Sequence, residues 1–401
     1  MARIVIVGGG MGGASLALLL AQRTTHDIVL VEQAALAADA LPDTPSYDAR
    51  STALALGSAE ILSAIGAWQV LSPFAAPIRH INVSHQGRFG AARLDAREEG
   101  VAALGFVAEN RHLGFALLKA LRETRVDVRA PMRIGTVVRD GAGWALSLAD
   151  GSSLSADLLM VADGVQSATR AVLGVGVQEH DYGATAIVCN VTPREPHGDV
   201  AFERFTPDGA IAILPLTGNR CAIVWSLPNA RAKALLAAAD EDFLAALSAA
   251  AGDRLGGFAK VGARSGYPLV KIVATEQAVP GAVLLGNAAH LLHPVAGQGF
   301  NLTLRDAVVL AATLADAEAA GEPVGDLAML LRYVAKREHD QQLTAGLSHG
   351  LPQVFTSGNP LLAAARDLGL VAFDVVGPLK REFARQAMGI GVFTGGTCRA
   401  G

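Results

Sequence analysis

The sequence has 401 residues, of which 51% are hydrophobic and 17% are charged, and its formal net charge at pH 7 is -4. This composition predicts a large folded core, argues against disorder and gives no electrostatic case for a nucleic-acid partner. The three cysteines (Cys189, Cys221 and Cys398) form no CxxC pair, so neither a disulfide framework nor a zinc-thiolate site is indicated. A reducing, cytoplasmic compartment fits this pattern.

The N-terminal segment predicts a strand, a tight turn and a helix. Residues 3–7 (RIVIV) are a short apolar β-branched run, and an apolar helical stretch extends to about Gln22. Residues 4–22 carry no charge, but five of the six residues from Gly8 to Gly13 are glycine, which favours a buried strand-turn-helix over a membrane span or signal peptide. Residues 27–32 (DIVLVE) then predict a second, parallel strand.

The glycine run indicates a dinucleotide. Gly8, Gly10 and Gly13 fit G-x-G-x-x-G between the strand and the helix, and the helix start can attract a pyrophosphate. Glu32 lies 22 residues after Gly10, where a carboxylate can bind ribose hydroxyls. Such an acid disfavours a 2′-phosphate, so the pattern predicts FAD or NAD rather than NADP.

The predicted secondary structure changes along the middle of the chain. Helices are predicted at 53–71 and 110–123, and a strand at 157–164 runs into Asp163-Gly164, which alone would be a β-turn. Residues 79–92 and about 180–268 are strand-like, with one alanine-rich helix at 229–250. A long helix follows at 305–321, and the remainder is mostly helical, with breaks at Gly350, Pro352, Pro360 and Pro378.

These elements predict an α/β fold in which a β-sheet substrate domain is inserted into a Rossmann-like nucleotide-binding domain. The nucleotide-binding domain is assigned to 1–78, 98–178 and 268–330, the substrate domain to 79–97 and 179–267, and a helical C-terminal region to 331–401.

The uncharged stretch GNAAHLLHPVAGQGFNL (286–302) raises the question of a metal site, since His290 and His293 are spaced as HxxH. Zinc needs a third ligand, and Pro294 and Gly297 disfavour a regular helix through the pair. The sequence therefore predicts no metal. It favours a loop whose backbone amides face a ligand and lead into a helix that begins near Phe300.

Three ordered motifs carry a family resemblance. G-x-G-x-x-G, then D-G-x-x-S-x-x-R from Asp163, and late GNAAHLLHPVAGQGFN resemble the single-component FAD-dependent aromatic hydroxylases. Further stretches, including 47–62, 201–216 and 264–269, are similar to the ubiquinone-biosynthesis group of that family. Asn287, where two sister enzymes usually carry Asp, favours the branch that hydroxylates 2-polyprenyl-6-methoxyphenol.

The resemblance implies FAD as cofactor and NADH or NADPH as electron donor. The cofactor-binding residues would be Gly8, Gly10, Met11, Gly12, Gly13, Glu32, Arg50, Arg111, Asp163, Gly164, Gly286, Asn287, Pro294, Gly297, Gln298, Gly299, Phe300 and Asn301. It further implies that O2 reacts through a C4a-hydroperoxyflavin with an electron-rich phenol carbon. His293 and Pro294 are the catalytic candidates, and either His290 or His293 would assist phenol deprotonation, although a histidine bonded to backbone is the alternative for each.

The implied substrate is a polyprenylated phenol. Phe202, Phe205, Leu214, Pro215 and Trp225 are candidates for its pocket wall, with ordinary core packing as the alternative for each. The tail would arrive from a membrane or a carrier, and the basic, apolar segment 366–389 would contact the inner face of the cytoplasmic membrane or pack as an ordinary helix. Contact with other ubiquinone-biosynthesis proteins is also implied.

Several rival functions remain. A flavin halogenase is disfavoured because the three tryptophans are isolated and no WxWxIP occurs, and a simple NAD dehydrogenase would not need the late Gly-Pro loop. Prenyl reductases share the fold. A sister ring hydroxylase of the pathway and a low-turnover flavin-bearing scaffold subunit stay open.

Overall fold

A computed structural model describes residues 1–36, 50–87, 91–292, 298–356, 384–385 and 388–389, with backbone only for 347–356. The predicted α/β class is confirmed: helices lie between strands in the first third, the middle is rich in strands, and the last third has short strands followed by two long helices. The predicted domain boundaries stay a prediction.

The strands are numbered in chain order. Up to residue 161 they are β1 (Arg3–Val7), β2 (Asp27–Val31), β3 (Ser51–Ala55), β4 (Ala76–Ile78), β5 (His80–His85), β6 (Ala91–Asp95), β7 (Gly105–Glu109), β8 (Asp127–Arg129), β9 (Ile134–Asp140), β10 (Gly143–Leu148), β11 (Ser153–Ala156) and β12 (Leu158–Val161). After it they are β13 (Val177–Pro193), β14 (Val200–Thr206), β15 (Gly209–Leu216), β16 (Arg220–Pro228), β17 (Phe258–Val261), β18 (Ser265–Ala274), β19 (Ala278–Val279), β20 (Ala282–Leu284) and β21 (His290–Leu291).

The helices are α1 (Met11–Arg23), α2 (Leu56–Ala64), α3 (Trp68–Leu71), α4 (Asn110–Arg122), α5 (Ala168–Val172), α6 (Asn229–Ala237), α7 (Asp240–Ala251), α8 (Gln298–Ala319) and α9 (Leu327–Thr356). Among the described residues, no helix is both long enough and apolar enough to cross a membrane.

A six-stranded sheet in the order β19-β20-β12-β1-β2-β8 carries the nucleotide-binding pattern. Its central strands pair in parallel, with Val7 beside both Val31 and Val161. Both faces are covered, which is why these strands read as continuous apolar runs. Helices α1, α4 and α8 pack on one face through buried residues such as Leu16, Leu117 and Leu304.

A nine-stranded sheet forms the middle of the chain, in the order β21-β18-β13-β16-β15-β14-β5-β6, with β17 paired to β13. Side chains alternate between its two faces. One face is covered by α6 and α7 around Trp225 and Phe243. Smaller three-stranded sheets, β9-β10-β11 and β3-β7-β4, flank the two large ones.

Three predicted helices differ from the structure. The helix expected at 53–71 begins as strand β3 and is then broken into α2 and α3 near Gly66, which has a φ of +79°. The helix expected at 229–250 is two helices, α6 and α7, separated at Ala238, whose backbone is extended. Helix α9 continues through Gly350 and Pro352, where breaks were expected, and this prediction was wrong.

Candidate functional site

A large cavity lies between the six-stranded sheet and the nine-stranded sheet. Its volume is about 1890 Å³. Small-molecule sites typically measure about 300 to 1,000 Å³, so this space can hold more than one ligand. Its lining brings together the glycine loop, the Asp163-Gly164 turn, the start of α8 and one face of the nine-stranded sheet.

The glycine loop between β1 and α1 is shaped by backbone contacts. Gly8 has a φ of +102°, and a Cβ on it would lie 2.4 Å from the Ala162 carbonyl oxygen. A Cβ on Gly13 would lie 1.9 Å from the Gly8 carbonyl oxygen. Only glycine fits these two positions, and the loop places the N-terminal end of α1 at the cavity, where backbone N–H groups and the helix dipole favour an anion.

Glu32 lies at the carboxyl end of β2, as the sequence predicts. Its carboxylate accepts hydrogen bonds from the backbone N–H of Gly9 at 2.6 Å and of Ala34 at 2.8 Å. It also lines the cavity beside Gly9 and Met11. The carboxylate therefore fixes the shape of the glycine loop in addition to facing the cavity.

The Asp163-Gly164 turn follows β12 directly and lines the cavity. One Asp163 carboxylate oxygen accepts from the Thr169 backbone N–H at 3.2 Å. The other, Oδ1, is buried and has no hydrogen-bond partner in the described part of the chain. Gly164 has a φ of +91°, a backbone conformation that glycine adopts without strain, which explains why a glycine occupies this position.

Arg170 was not among the candidates, although it ends the D-G-x-x-S-x-x-R pattern. It is 8% exposed and lines the cavity. Its guanidinium donates to the carbonyl oxygens of Ala288 at 2.9 Å and Val165 at 3.0 Å. Arg170 thus ties the Asp163-Gly164 turn to the late loop, and its place in the pattern was the signal that could have identified it.

The late loop after β20 presents Asn287 to the cavity. Asn287 is exposed and lines the cavity, whereas its neighbours Gly286 and Ala288 are buried. Helix α8 begins at Gln298, slightly before the predicted start, and its first residues Gln298 to Asn301 line the cavity. His293, Pro294 and Gly297 lie outside the described residues.

Asn301 joins the start of α8 to strand β3. Its side chain accepts from the Ala55 backbone N–H and donates to the Ala53 carbonyl, both at 2.9 Å. The side chain is 1% exposed. It therefore acts as a buried clamp that holds the first turn of α8 against the cavity.

The structure does not bring His290, one of the two candidates for phenol deprotonation, to the cavity. The ring is 6% exposed and is absent from the cavity lining, and its Nε2 lies 2.8 Å from Oδ2 of Asp306. The alternative of a backbone hydrogen bond was wrong, since the partner is a carboxylate.

His290 belongs to a buried charge cluster that the sequence analysis missed. Asp306 is fully buried and also accepts from Nε of Arg337 at 2.6 Å. Burial alone would raise the pKa of Asp306, but the His290 hydrogen bond and the charges of His290 and Arg337 hold that pKa below its usual range. The cluster continues through Asp340 to Arg305, and these two residues reach the cavity lining.

The two candidate arginines lie in different places. Arg50 lines the cavity, with its guanidinium carbon 4.9 Å from the ring centre of Tyr267. Arg111 is not part of the lining, and it pairs with the buried Glu109 at 3.1 Å. The structure therefore brings Arg50, but not Arg111, to the cavity.

The five candidates for the pocket wall divide between the two faces of the nine-stranded sheet. Phe205 and Leu214 line the cavity. Trp225 does not, because it points to the opposite face and packs near Phe243. Pro215 is also absent from the lining, since the alternation that turns Leu214 inward turns its neighbour outward. Phe202 touches the lining but also packs against the helix-covered cluster.

Within the described ranges, no group of three or more His, Cys, Asp or Glu side chains is arranged to hold a metal ion.

Comparison with known proteins adds to this geometry. A family model described as FAD binding domain matches residues 1–345. Ubiquinone hydroxylase UbiL of Rhodospirillum rubrum is 38% identical over 393 residues, covering 97% of this chain and 90% of that protein. The 3-demethoxyubiquinol 3-hydroxylase of Escherichia coli is 32% identical over 391 residues, covering 96% and 98%. The p-nitrophenol 4-monooxygenase PnpA of Pseudomonas putida superposes with a TM-score of 0.77 at 18% identity, covering 97% and 99%, which supports the shared fold.

Proposed function

We propose, on the premise that this chain belongs to the FAD binding domain family and is an FAD-dependent monooxygenase, that it hydroxylates the ring of a polyprenylated phenol in ubiquinone biosynthesis. The observation that carries the proposal is the cavity itself. One end is made of three motif loops that suit a dinucleotide, and the other is an apolar sheet face that suits a prenylated ring.

The residues around the glycine loop fit FAD. Gly8 and Gly13 allow close backbone contacts that a Cβ would prevent, and these contacts set the shape of the loop. The start of α1, which the loop places at the cavity, attracts a pyrophosphate. Glu32 would bind the adenosine ribose, and Asp163 and Gly164 would lie near the pyrophosphate. The Oδ1 atom of Asp163 is buried without a partner, and it would accept from a hydroxyl group of the cofactor or from a water molecule beside the pyrophosphate, since a pyrophosphate has no donor. Arg50 would reach the phosphates or ribose.

The late loop would hold the other half of the cofactor. Asn287 would hydrogen-bond the ribityl chain, and Gln298, Gly299 and Phe300 would lie at the ring. When bound, FAD accepts electrons from NADH or NADPH and delivers one oxygen atom of O2 to the substrate. The backbone N–H groups at the start of α8 would stabilise negative charge on the reduced ring.

The chain's own task is to bind and orient the phenol and to exclude water. The apolar residues Ile81, Val83, Ala201 and Leu214 line the cavity on the sheet side. A ring held against them is shielded from solvent and kept in one orientation, which raises the effective concentration of the reacting atoms.

The proposal also concerns which carbon of the ring is hydroxylated. One relative is named only as a ubiquinone hydroxylase and the other as a 3-demethoxyubiquinol 3-hydroxylase. Asn287 favours 2-polyprenyl-6-methoxyphenol as the substrate, with a sister step of the pathway as the alternative. A low-turnover role as a flavin-bearing scaffold among other ubiquinone-biosynthesis proteins is the second candidate. Segment 366–389, predicted to contact the membrane, lies almost entirely outside the described residues.

The test uses FAD-loaded protein, NADH or NADPH, and two synthetic probes, 2-farnesylphenol and 2-farnesyl-6-methoxyphenol. The proposal predicts consumption of the donor that depends on the phenol, with a hydroxylated product whose ring position is read by NMR. A strain lacking the gene should accumulate the matching precursor. Phenol-independent oxidation without product in the FAD-loaded protein would favour the scaffold.

A further inference from the structure

The cavity face of the nine-stranded sheet carries one ionisable side chain in its central row. Glu203 on β14 pairs with Ala212 on β15 and with Val83 on β5, so all three project to the same face. The row continues across the sheet and lines the cavity throughout: Ala92, Val83, Glu203, Ala212, Val224 and Val188. Glu203 is therefore an isolated carboxyl group in an apolar wall.

No neighbouring group satisfies this carboxyl. Among the described residues, none forms a hydrogen bond or an ion pair with Glu203, and burial raises its pKa to about 7. The described titratable side chains named below, which lie on elements adjacent to β14 or packed near it, are engaged elsewhere. His85 of β5 contacts the Gln86 carbonyl at 3.0 Å, β15 carries none, and Asp340 of α9 pairs with Arg305 of α8 and with Arg337. Arg204, next in the chain, points to the opposite face.

A carboxyl group without a protein partner in an apolar wall is unfavourable unless water or a ligand supplies a hydrogen-bond donor, and a ligand that fills the cavity displaces the water. The substrate class proposed above carries one such donor, the phenol hydroxyl, on an otherwise apolar molecule. The prenyl tail can pack against the apolar side chains of the row, and the hydroxyl can hydrogen-bond Glu203, the polar group in that row.

We propose that Glu203 binds the phenol hydroxyl of the substrate and accepts its proton, an inference that rests on the proposed function. The phenol O–H bond breaks, an O–H bond forms on the Glu203 carboxylate, and the electron pair stays on the phenolate oxygen. The carbons ortho and para to that oxygen become more electron-rich and react more readily with an electrophilic oxygen. The step needs no further reactant, and it assigns to a residue that lines the cavity the role that the resemblance implies for His290 or His293.

The test compares wild type with Glu203→Gln, which keeps the shape and removes the base, and with Glu203→Asp, which keeps a carboxylate. Glu195→Gln is the matched control, because Glu195 is exposed and lies outside the cavity lining. The kcat/KM for hydroxylation of 2-farnesyl-6-methoxyphenol is measured from about pH 5.5 to about pH 9, a range that brackets a base titrating near 7. Flavin content and thermal unfolding show that each variant is folded.

In wild type, kcat/KM should rise as pH approaches 7 and then level off, because the base must be ionised. Glu203→Gln should lower the plateau about 100-fold and abolish the rise, while Glu203→Asp should retain part of both. An unchanged rise in Glu203→Gln, with wild-type product formation, contradicts the inference and leaves the proposed function intact. Absence of hydroxylated product from wild type itself contradicts the proposed function, and the inference falls with it.

Discussion

Gly13 lies so close to Gly8 that a Cβ on Gly13 would stand 1.9 Å from the Gly8 carbonyl oxygen. Because the obstacle is backbone, Gly13→Ala must displace the glycine loop. We expect FAD affinity to fall about tenfold or more, equivalent to about 1.4 kcal/mol. The measurement is the flavin-to-protein ratio after gel filtration and reconstitution. Gly346→Ala in α9 is the control, since a Cβ there meets no atom within 4 Å. A Gly13→Ala protein with full flavin content would show that the loop does not hold the cofactor.

Asn287 provides a test of the late loop. Asn287→Asp should retain FAD, because the loop backbone is unchanged, but the added carboxylate should repel the anionic reduced flavin. We expect the midpoint potential to become more negative by about 30 mV, which is about 1.4 kcal/mol for two electrons. A dye-coupled reductive titration measures it. Asn219→Asp, on an exposed turn outside the cavity lining, should leave the potential unchanged. Equal potentials in wild type and Asn287→Asp would contradict the placement.

The buried cluster around Asp306 predicts a large effect on stability. Asp306→Ala leaves the Arg337 guanidinium, which is 0% exposed, without one of its two carboxylate partners. Loss of one member of a buried ion pair typically destabilises by about 3 to 5 kcal/mol. Urea unfolding of the FAD-loaded protein measures the change. Glu322→Ala, which removes an exposed pair with Arg332, should change the free energy of unfolding by about 1 kcal/mol or less. Similar losses in the two variants would show that the cluster is not a stabilising unit.

Glu203 also predicts a dependence of stability on pH that needs no substrate. Its carboxyl pKa is about 7 in the folded protein against 4.5 when solvated. The folded state thus holds the proton more tightly, so stability is lost as pH rises from 4.5 to about 7 and stays lost above that. Glu203→Gln should therefore be more stable than wild type near about pH 8, by on the order of 2 kcal/mol. Near about pH 4.5 the difference should be small. Calorimetry at both pH values measures the difference, and one that does not vary with pH would contradict the raised pKa.

The sequence predicted the parts of the fold that depend on local pattern. Strands β1 and β2, helix α4 and the glycine loop follow from apolar runs, an amphipathic period and glycine spacing. The three motif loops that line the cavity were predictable because each is contiguous in sequence. Arg50 reaches the cavity as expected, whereas Arg111 does not. Residue spacing alone does not show where a side chain points in the folded protein.

The remaining features depend on contacts between distant segments. His290 contacts Asp306, which lies 16 residues away in the sequence, and Asp306 contacts Arg337, which lies a further 31 residues away. No local sequence pattern therefore predicts the cluster. The assignment of Trp225 to the pocket failed because strand alternation fixes which residues share a face but not which face meets the cavity. The position of Glu203 on the cavity face was not predicted, for the same reason.

The central claim is that the chain inserts oxygen from O2 into a prenylated phenol. The most direct measurement incubates FAD-loaded protein with NADH or NADPH and 2-farnesyl-6-methoxyphenol under isotopically heavy dioxygen, followed by mass spectrometry of the product. We expect a hydroxylated product that carries one heavy oxygen atom from the gas and none when only the water is labelled. Donor oxidation that yields hydrogen peroxide and no labelled product, at full flavin occupancy, would contradict it.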